Sequence, residues 1–325
     1  MSEQILIVGG AGYIGSHMVR ELIDRGVTPV VLDNLSSGKR AAVGMAELVE
    51  GDMADRAVLE TLFKQHRFDC VMHFASYIQV GESVRDPGKY YDNNVGNTVT
   101  LLNAMARHQV PRFIFSSTAA IFGNPVASLI DESHPTFPVN PYGRSKLMIE
   151  HLLPDYHAAY GLQYGCLRYF NAAGAHPDGT IGECHEPETH LIPLVLQAAA
   201  GRIPEIQIFG TDYPTPDGTC VRDYIHVKDL AEAHFLLWKK LKEGLNFGSY
   251  NLGTGTGYSV KQVIESAKKI TGKNIPMKIA ERRAGDPAIL VADGSAAQKA
   301  LGWSPNLSDL PTIISHAWQW EKSHY

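Results

Sequence analysis

One segment constrains this chain more than any other: Val8-Gly9-Gly10-Ala11-Gly12-Tyr13-Ile14-Gly15. It follows the apolar run Ile5–Val8 directly and opens a helical pattern in which Ile14, Met18, Val19, Leu22 and Ile23 form one stripe, closed by Gly26. Glycines at 9, 12 and 15 let the backbone turn tightly and let a pyrophosphate approach the helix N-terminus, where free N–H groups and the helix dipole favour anions. A glycine pattern alone is weak, but here a strand precedes it and a helix follows. A second acid–base feature agrees with it. Asp33 ends the next apolar run, eighteen residues after Gly15, close to the roughly 20 expected for the carboxylate that holds an adenosine ribose. A carboxylate there repels a 2′-phosphate, so NAD is expected over NADP.

Around this segment the first half alternates. Pro29–Leu32, Cys70–Phe74 and Arg112–Ser116 read as buried strands, and Ala54–His66 and Lys89–Gln109 as helices, the latter with Val95, Val99, Leu102 and Met105 on one face. That order predicts an α/β fold, a Rossmann-type doubly wound parallel sheet with helices on both faces. Residues 174–220, rich in Gly, Pro, His and Thr, suggest a loop-rich lobe. Alternation resumes with a helix over Asp229–Leu241, a strand at Ser249–Leu252 and a helix over Ser259–Thr271. The expected division is a dinucleotide domain over 1–173 and a smaller C-terminal α/β substrate lobe over 174–325, with segments near 223–255 returning to the first domain.

Composition narrows the class. The chain has 325 residues, 44% hydrophobic and 19% charged, with a net charge of −5, which gives no reason to bind nucleic acid nonspecifically. No run reaches the ~18 apolar residues of a membrane span; Leu191–Ala200 is broken by Pro193 and Gln197. Cys70, Cys166, Cys184 and Cys220 lie far apart and read as reduced thiols of a soluble, cytoplasmic protein. Cys184, His185 and His190 share a loop but no recognised ligand spacing, so no metal is expected. Asp131-Glu132-Ser133 reads as a solvated turn.

Chemistry enters with Tyr142-Gly143-Arg144-Ser145-Lys146, after Pro141 and at the start of a helical pattern. Tyr142 and Lys146, four apart, share a helix face. An ammonium beside a phenol lowers a pKa that is otherwise near 10 and makes a general base. The pair alone is common on helix surfaces; beside a dinucleotide fingerprint it reads as a site. Ser116-Ser117-Thr118 ends a strand where ligands bind in parallel sheets, so Thr118 can offer a hydroxyl to the substrate oxygen that Tyr142 deprotonates.

Together these features resemble the extended short-chain dehydrogenase/reductase family. Longer segments narrow the likeness: GGAGYIGSH, LDNLSSGKR, HFASYIQVGESV, YYDNNV, PYGRSKLM, LRYFNAAGAHPDG, ETHLIP, FGTDYPTPDGTCVRDYIHVKDL, NLGTGTGYSV and RRAGDPA resemble the UDP-galactose (UDP-glucose) 4-epimerases, from Ile5 to about Trp303. The resemblance implies reversible oxidation at C4 of a UDP-hexose, with Thr118, Tyr142 and Lys146 catalytic. It implies an NAD site of Gly9, Gly12, Tyr13, Ile14, Gly15, Asp33, Asn34, Ser37 and Gly38, with Asp52 and Met53 at the adenine. Phe74, Ala75, Ser76, Asn93, Ser116 and Tyr169 would lie along the pyrophosphate and nicotinamide, with Tyr142 and Lys146. On the UDP-sugar side it implies Asn171, His190 and Leu191 for phosphates and ribose, and Gln207 and Phe209 for uracil. Arg222 and Arg283 would take the diphosphate, as planar cationic forks suit it, with Asp286 on a ribose hydroxyl. A homodimer is implied as well.

The sequence also departs from that family. Ile78 stands where many members have a lysine reaching the NAD phosphates. Thr118 replaces the usual serine and keeps its hydroxyl. Leu290 stands where some carry a tyrosine beside the sugar. A UDP-N-acetylhexosamine or UDP-pentose epimerase, a nucleotide-sugar dehydratase or decarboxylase, and a non-catalytic dinucleotide sensor are the rivals. Ala119-Ala120 after Thr118 cannot supply the extra acid–base pair of elimination, and a sensor has no use for a tuned base.

Overall fold

The computed structural model describes residues 3–283 and 286–324. Seven parallel strands form its main sheet: β1 (Gln4–Val8), β2 (Thr28–Asp33), β3 (Glu47–Glu50), β4 (Phe68–His73), β5 (Arg112–Thr118), β6 (Gln163–Tyr169) and β7 (Phe247–Leu252). Their spatial order is β7-β6-β5-β4-β1-β2-β3. The direction of winding reverses between β1 and β4, which places a crevice at their carboxyl ends. The registers Val8↔Leu32, Val8↔His73 and Thr118↔Tyr169 bring those ends to one edge. Gly9, Asp33, Phe74 and Thr118 end or directly follow strands at that edge.

Burial explains why these runs are strands. Ile5, Ile7, Val31, Met72 and Ile114 enter one apolar core, while Leu6, Val8, Val30, Leu32, Val71, Phe113 and Phe115 enter another. Successive residues alternate between faces, and both faces are covered, so the strands read as continuous apolar runs. Helix α1 (Tyr13–Asp24) packs on the first face, and α2 (Pro141–Tyr160) contributes Ile149 and Leu153 to the second. A third core joins α3 (Leu191–Ala199) to the helices Val260–Thr271 and Leu310–His324 through Val195, Leu196, Val263, Ile264, Ile313 and Ile314. The chain recrosses: α4 (Val227–Lys242) places Leu230, Leu237 and Trp238 in the first core, joined by Trp303. Among the described residues no helix is long and apolar enough to cross a membrane, and no disulfide joins the cysteines.

Four details differ from the sequence reading. Edge strand β3 carries Glu47 and Glu50 outward and lacks an apolar run to announce it. The helix expected over Lys89–Gln109 is Pro87–Tyr90 and Thr98–Arg107 with a wide π-helical turn, Tyr91–Asn97, between them. That turn rotates the face: Asn94 and Thr98 are buried, while Val95 and Val99 are only half-buried, and the Thr98 hydroxyl donates to Asn94 O at 2.7 Å. The stretch 174–220 contains α3, because Pro193 falls in its first turn, where a missing N–H costs no intrahelical bond. Finally, Asp131-Glu132 is not wholly a solvated turn. Asp131 is exposed, but Glu132 is half-buried and accepts the Asn251 N–H of β7 at 2.7 Å.

Candidate active site

The three fingerprint glycines serve three purposes. Gly9 sits at φ +81°, and a Cβ there would lie 2.5 Å from Ala75 N; its close approach seats the segment Phe74–Ala75 against the loop. Gly15 permits the helix to cross the loop, since a Cβ would meet Gly9 O at 2.2 Å. Gly12 is the N-cap of α1, with no side-chain cap and no acidic residue in the first turn, so the helix offers bare N–H groups led by Tyr13 and Ile14. Asp33 accepts Ala11 N–H at 2.9 Å and Leu35 N–H at 2.8 Å, one on each oxygen, and each oxygen keeps a lone pair. Beside it Asn34 donates to Asp52 at 2.7 Å, and Met53 is buried. Gly38 packs on Ala11. A cavity of about 290 Å³ lies over this helix end, lined by Gly12, Tyr13, Ser37 and Lys39, and by Cys184 and His185 across from them. Open helix N-terminus, ribose carboxylate and overlying space fit a dinucleotide.

Thr118, Tyr142 and Lys146 are placed where β5 meets α2. Asn140 caps α2 by accepting Gly143 N–H at 2.8 Å, with Pro141 as the first helical residue. Gly143 lets the helix end press on the turn after β5, since a Cβ there would lie 2.5 Å from Ala120 O. This puts the Thr118 hydroxyl in hydrogen-bond contact with the Tyr142 phenol. One turn on, the Lys146 ammonium donates to Ser76 Oγ and Ser116 O, each at 2.8 Å. The Ser116 hydroxyl meets that of Tyr169. The titration differs from the sequence expectation. Burial raises the Tyr142 phenol, and the Thr118 hydroxyl offsets only part of that. Lys146 is itself pushed down to about 7 by burial, with Glu150 opposing. In the protein alone Lys146 is thus only partly charged at neutral pH, and burial sets the direction of the Tyr142 shift.

The substrate-side residues are more dispersed. Asn171 donates to Asp223 O at 2.9 Å, and His190 is the N-cap residue of α3, ahead of half-buried Leu191. Burial disfavours the His190 cation, but Glu183 and Glu188 override it and raise the pKa to about 10. Gln207 and Phe209 point to the outer face of the strand Ile206–Phe209; the Arg283 guanidinium lies 3.9 Å over the Phe209 ring. Arg222 donates to Val221 O and Pro287 O at 2.9 and 2.8 Å, with Asp286 at 3.7 Å. The two arginines thus have separate partners. Leu290 pairs with Arg222 in a parallel register and packs on the cluster Ala119, Ile121, Phe122 and Ile130, which follows Thr118 directly.

The family model for the NAD dependent epimerase/dehydratase family matches residues 5–253. The chain belongs to that family. It is 53% identical over 320 residues to a UDP-glucose 4-epimerase of Halalkalibacterium halodurans, covering 98% of this chain and 96% of that one. A UDP-glucose 4-epimerase of Brucella ovis, solved in complex with NAD, superposes with a TM-score of 0.96 at 50% identity, covering 98% of each chain. One of Bifidobacterium longum, solved with NAD+ and UDP, gives 0.94 at 40% identity, covering 99% of this chain and 98% of that one.

Membership of the epimerase/dehydratase family accounts for the cradle and the base, but several residues around them escaped the sequence reading. Asn94, not only Asn93, is built in: it binds Tyr77 N and O at 2.9 and 3.1 Å and Ser145 Oγ at 3.1 Å, and Asn93 donates to it. Glu150, four residues after Lys146, is buried and takes Ser117 Oγ and the Arg168 fork. Its position on the stripe of Tyr142 and Lys146 was the available signal. Ile78 is 40% exposed, and Lys89, 4.2 Å over the ring of the preceding Tyr77, is paired with Glu82 at 2.7 Å. Lys39, in the cavity wall, is a cation the sequence reading passed over.

Proposed function

We propose that this chain catalyses the NAD-dependent, reversible inversion at C4 of a UDP-hexose, interconverting UDP-glucose and UDP-galactose through a 4-keto sugar. The observation that carries the reading is Thr118, Tyr142 and Lys146 meeting at the carboxyl edge of a sheet whose glycine loop fits a dinucleotide. The names of the relatives, and the NAD+ and UDP held by the Bifidobacterium longum protein, support it.

Each residue then has a task. NAD held at the glycine loop and Asp33 would supply the hydride acceptor for C4 and a cationic nicotinamide that favours the Tyr142 phenolate. Tyr142 takes the proton of the 4-hydroxyl and gives it back on return. Thr118 donates to the phenolate and orients the same hydroxyl. Lys146, fixed by Ser76 and Ser116, holds a ribose hydroxyl with its remaining donor. Arg222, Arg283 and the N-terminus of α3 anchor the diphosphate while the sugar turns. Elimination chemistry is disfavoured because Ala119 and Ala120, next to Thr118, carry no proton-transfer group. A cytoplasmic homodimer belongs to the same reading, and sedimentation at twice the chain mass tests the dimer.

Tyr142→Phe is the decisive test. Turnover of UDP-galactose should fall by about 100-fold or more while NAD binding persists. Near-normal turnover overturns the assignment.

A further inference from the structure

Between Gly182 and Leu191 four ligand-type side chains occur within eight residues: Glu183, His185, Glu188 and His190. One ligand atom of each lies within 4.8 Å of all the others. Both imidazoles turn the same nitrogen inward. His190 Nδ1 is 2.7 Å from Glu183 Oε1 and 3.1 Å from Glu188 Oε1; His185 Nδ1 is 3.1 Å from Glu183 Oε1 and 3.8 Å from Glu188 Oε2. Each glutamate side chain is only 6% exposed.

Two carboxylates withdrawn from water side by side repel each other and lose hydration, and such groups persist when a cation sits among them. The imidazoles can neutralise both only if both are protonated, and their ring centroids are 5.3 Å apart, so two imidazolium charges would oppose each other. A single divalent ion removes both conflicts: it balances two carboxylates and leaves two neutral rings presenting Nδ1 lone pairs. We propose that Glu183, His185, Glu188 and His190 bind one divalent transition-metal ion. Two imidazole nitrogens and two carboxylate oxygens suit Zn²⁺. Cys184 is not among the converging atoms.

The place of the cluster gives the ion an organising task and no redox step. The Tyr13 ring meets His185 edge-on with centroids 6.3 Å apart, and its hydroxyl donates to Gly174 O at 2.7 Å. His190 caps the position from which α3 begins. The ion therefore ties the glycine loop to the helix end expected to receive the substrate diphosphate.

The test uses the full, untagged chain with NAD bound. After exposure to Zn²⁺ and removal of excess ion, elemental analysis should find one zinc per chain, removable by chelator. Titration of the chelated protein with Co²⁺ should give the visible bands of a nitrogen and oxygen site without a thiolate charge-transfer band. Glu183→Gln and His185→Asn should each weaken Co²⁺ binding by at least ~100-fold, with circular dichroism unchanged. Absence of bound metal in the unmutated chain overturns the proposal and leaves an imidazolium–carboxylate cluster. A thiolate band, or variants that fold and bind Co²⁺ as before, overturns it equally. Should a variant not fold, metal content and spectrum of the unmutated chain decide.

Discussion

Replacing Thr118 with Val deletes one hydroxyl from the base while keeping a branched side chain at the end of β5. That hydroxyl pulls the Tyr142 pKa down against the burial that raises it. A hydrogen bond to a charged oxygen contributes about 1.5–3 kcal/mol, so its loss should push the phenol higher still. Thr118 is only 8% exposed, so solvent screening takes little from that figure. The sign follows from the active form. Phenolate is the base, so turnover rises as pH rises through its pKa, and a raised pKa moves that limb upward. Well below the limb, kcat should drop roughly 10- to 100-fold; above it, most activity should return. Thr118 also caps the turn that follows by accepting Ala120 N–H at 3.1 Å, so a stability loss of about 0.5–2 kcal/mol is expected beside the kinetic effect. The assay is kcat for UDP-galactose against pH with NAD saturating, on Thr118→Val and on Thr118→Ser as the hydroxyl-restoring control. An equal loss at every pH, with the limb unmoved, would refute the reasoning and leave Thr118 an orienting group only.

Asp33→Ala should weaken NAD and narrow its preference over NADP, measured by titrating apo-protein with each cofactor; equal affinities in the unmutated protein would contradict the role of Asp33. Glu150→Gln should destabilise the fold by roughly 3–5 kcal/mol in urea unfolding, because Arg168, 10% exposed at its side chain, loses a carboxylate that takes three of its N–H···O contacts. Leu290→Tyr should suppress UDP-N-acetylhexosamine turnover selectively by overfilling the space beside Ala119–Phe122, a penalty of about 1–3 kcal/mol. An unchanged ratio of hexose to acetamido activity would show that Leu290 does not line the sugar site.

Legibility in the sequence followed how local each constraint is. Gly9, Gly12 and Gly15 announce a turn, a bare helix end and a close crossing within seven residues, and a buried parallel strand leaves an apolar run wherever it occurs. The face of the Lys89–Gln109 helix was misread because a π-helical turn is set by tertiary contacts. Asn94 goes inside to satisfy the backbone of Tyr77 and the hydroxyl of Ser145, residues seventeen and fifty-one positions away. Glu183 and Glu188 are not legible as ligands in the sequence, because carboxylates in a loop ordinarily read as solvated charge. The direction of the Tyr142 shift was misjudged for a related reason: spacing puts an ammonium near a phenol but says nothing of how little water reaches either.

The two sides of the site are built differently, and the proposed reaction needs that difference. Tyr142 and Lys146 lie on a capped helix, and beneath them Glu150 joins Ser117 of β5 to Arg168 of β6. Helix and both strands are thereby tied together, which under the proposed function would hold Tyr142 steady against the sugar. On the substrate side Gln207 is exposed, Arg283 rests on Phe209, and Arg222 bonds backbone carbonyls of its own neighbourhood. An epimerase must present both faces of one sugar to one base, so the anchor must hold the diphosphate firmly while leaving the hexose loosely gripped. Under the proposed function, polar contacts to UDP with the aliphatic Leu290 at the sugar's flank would satisfy that condition.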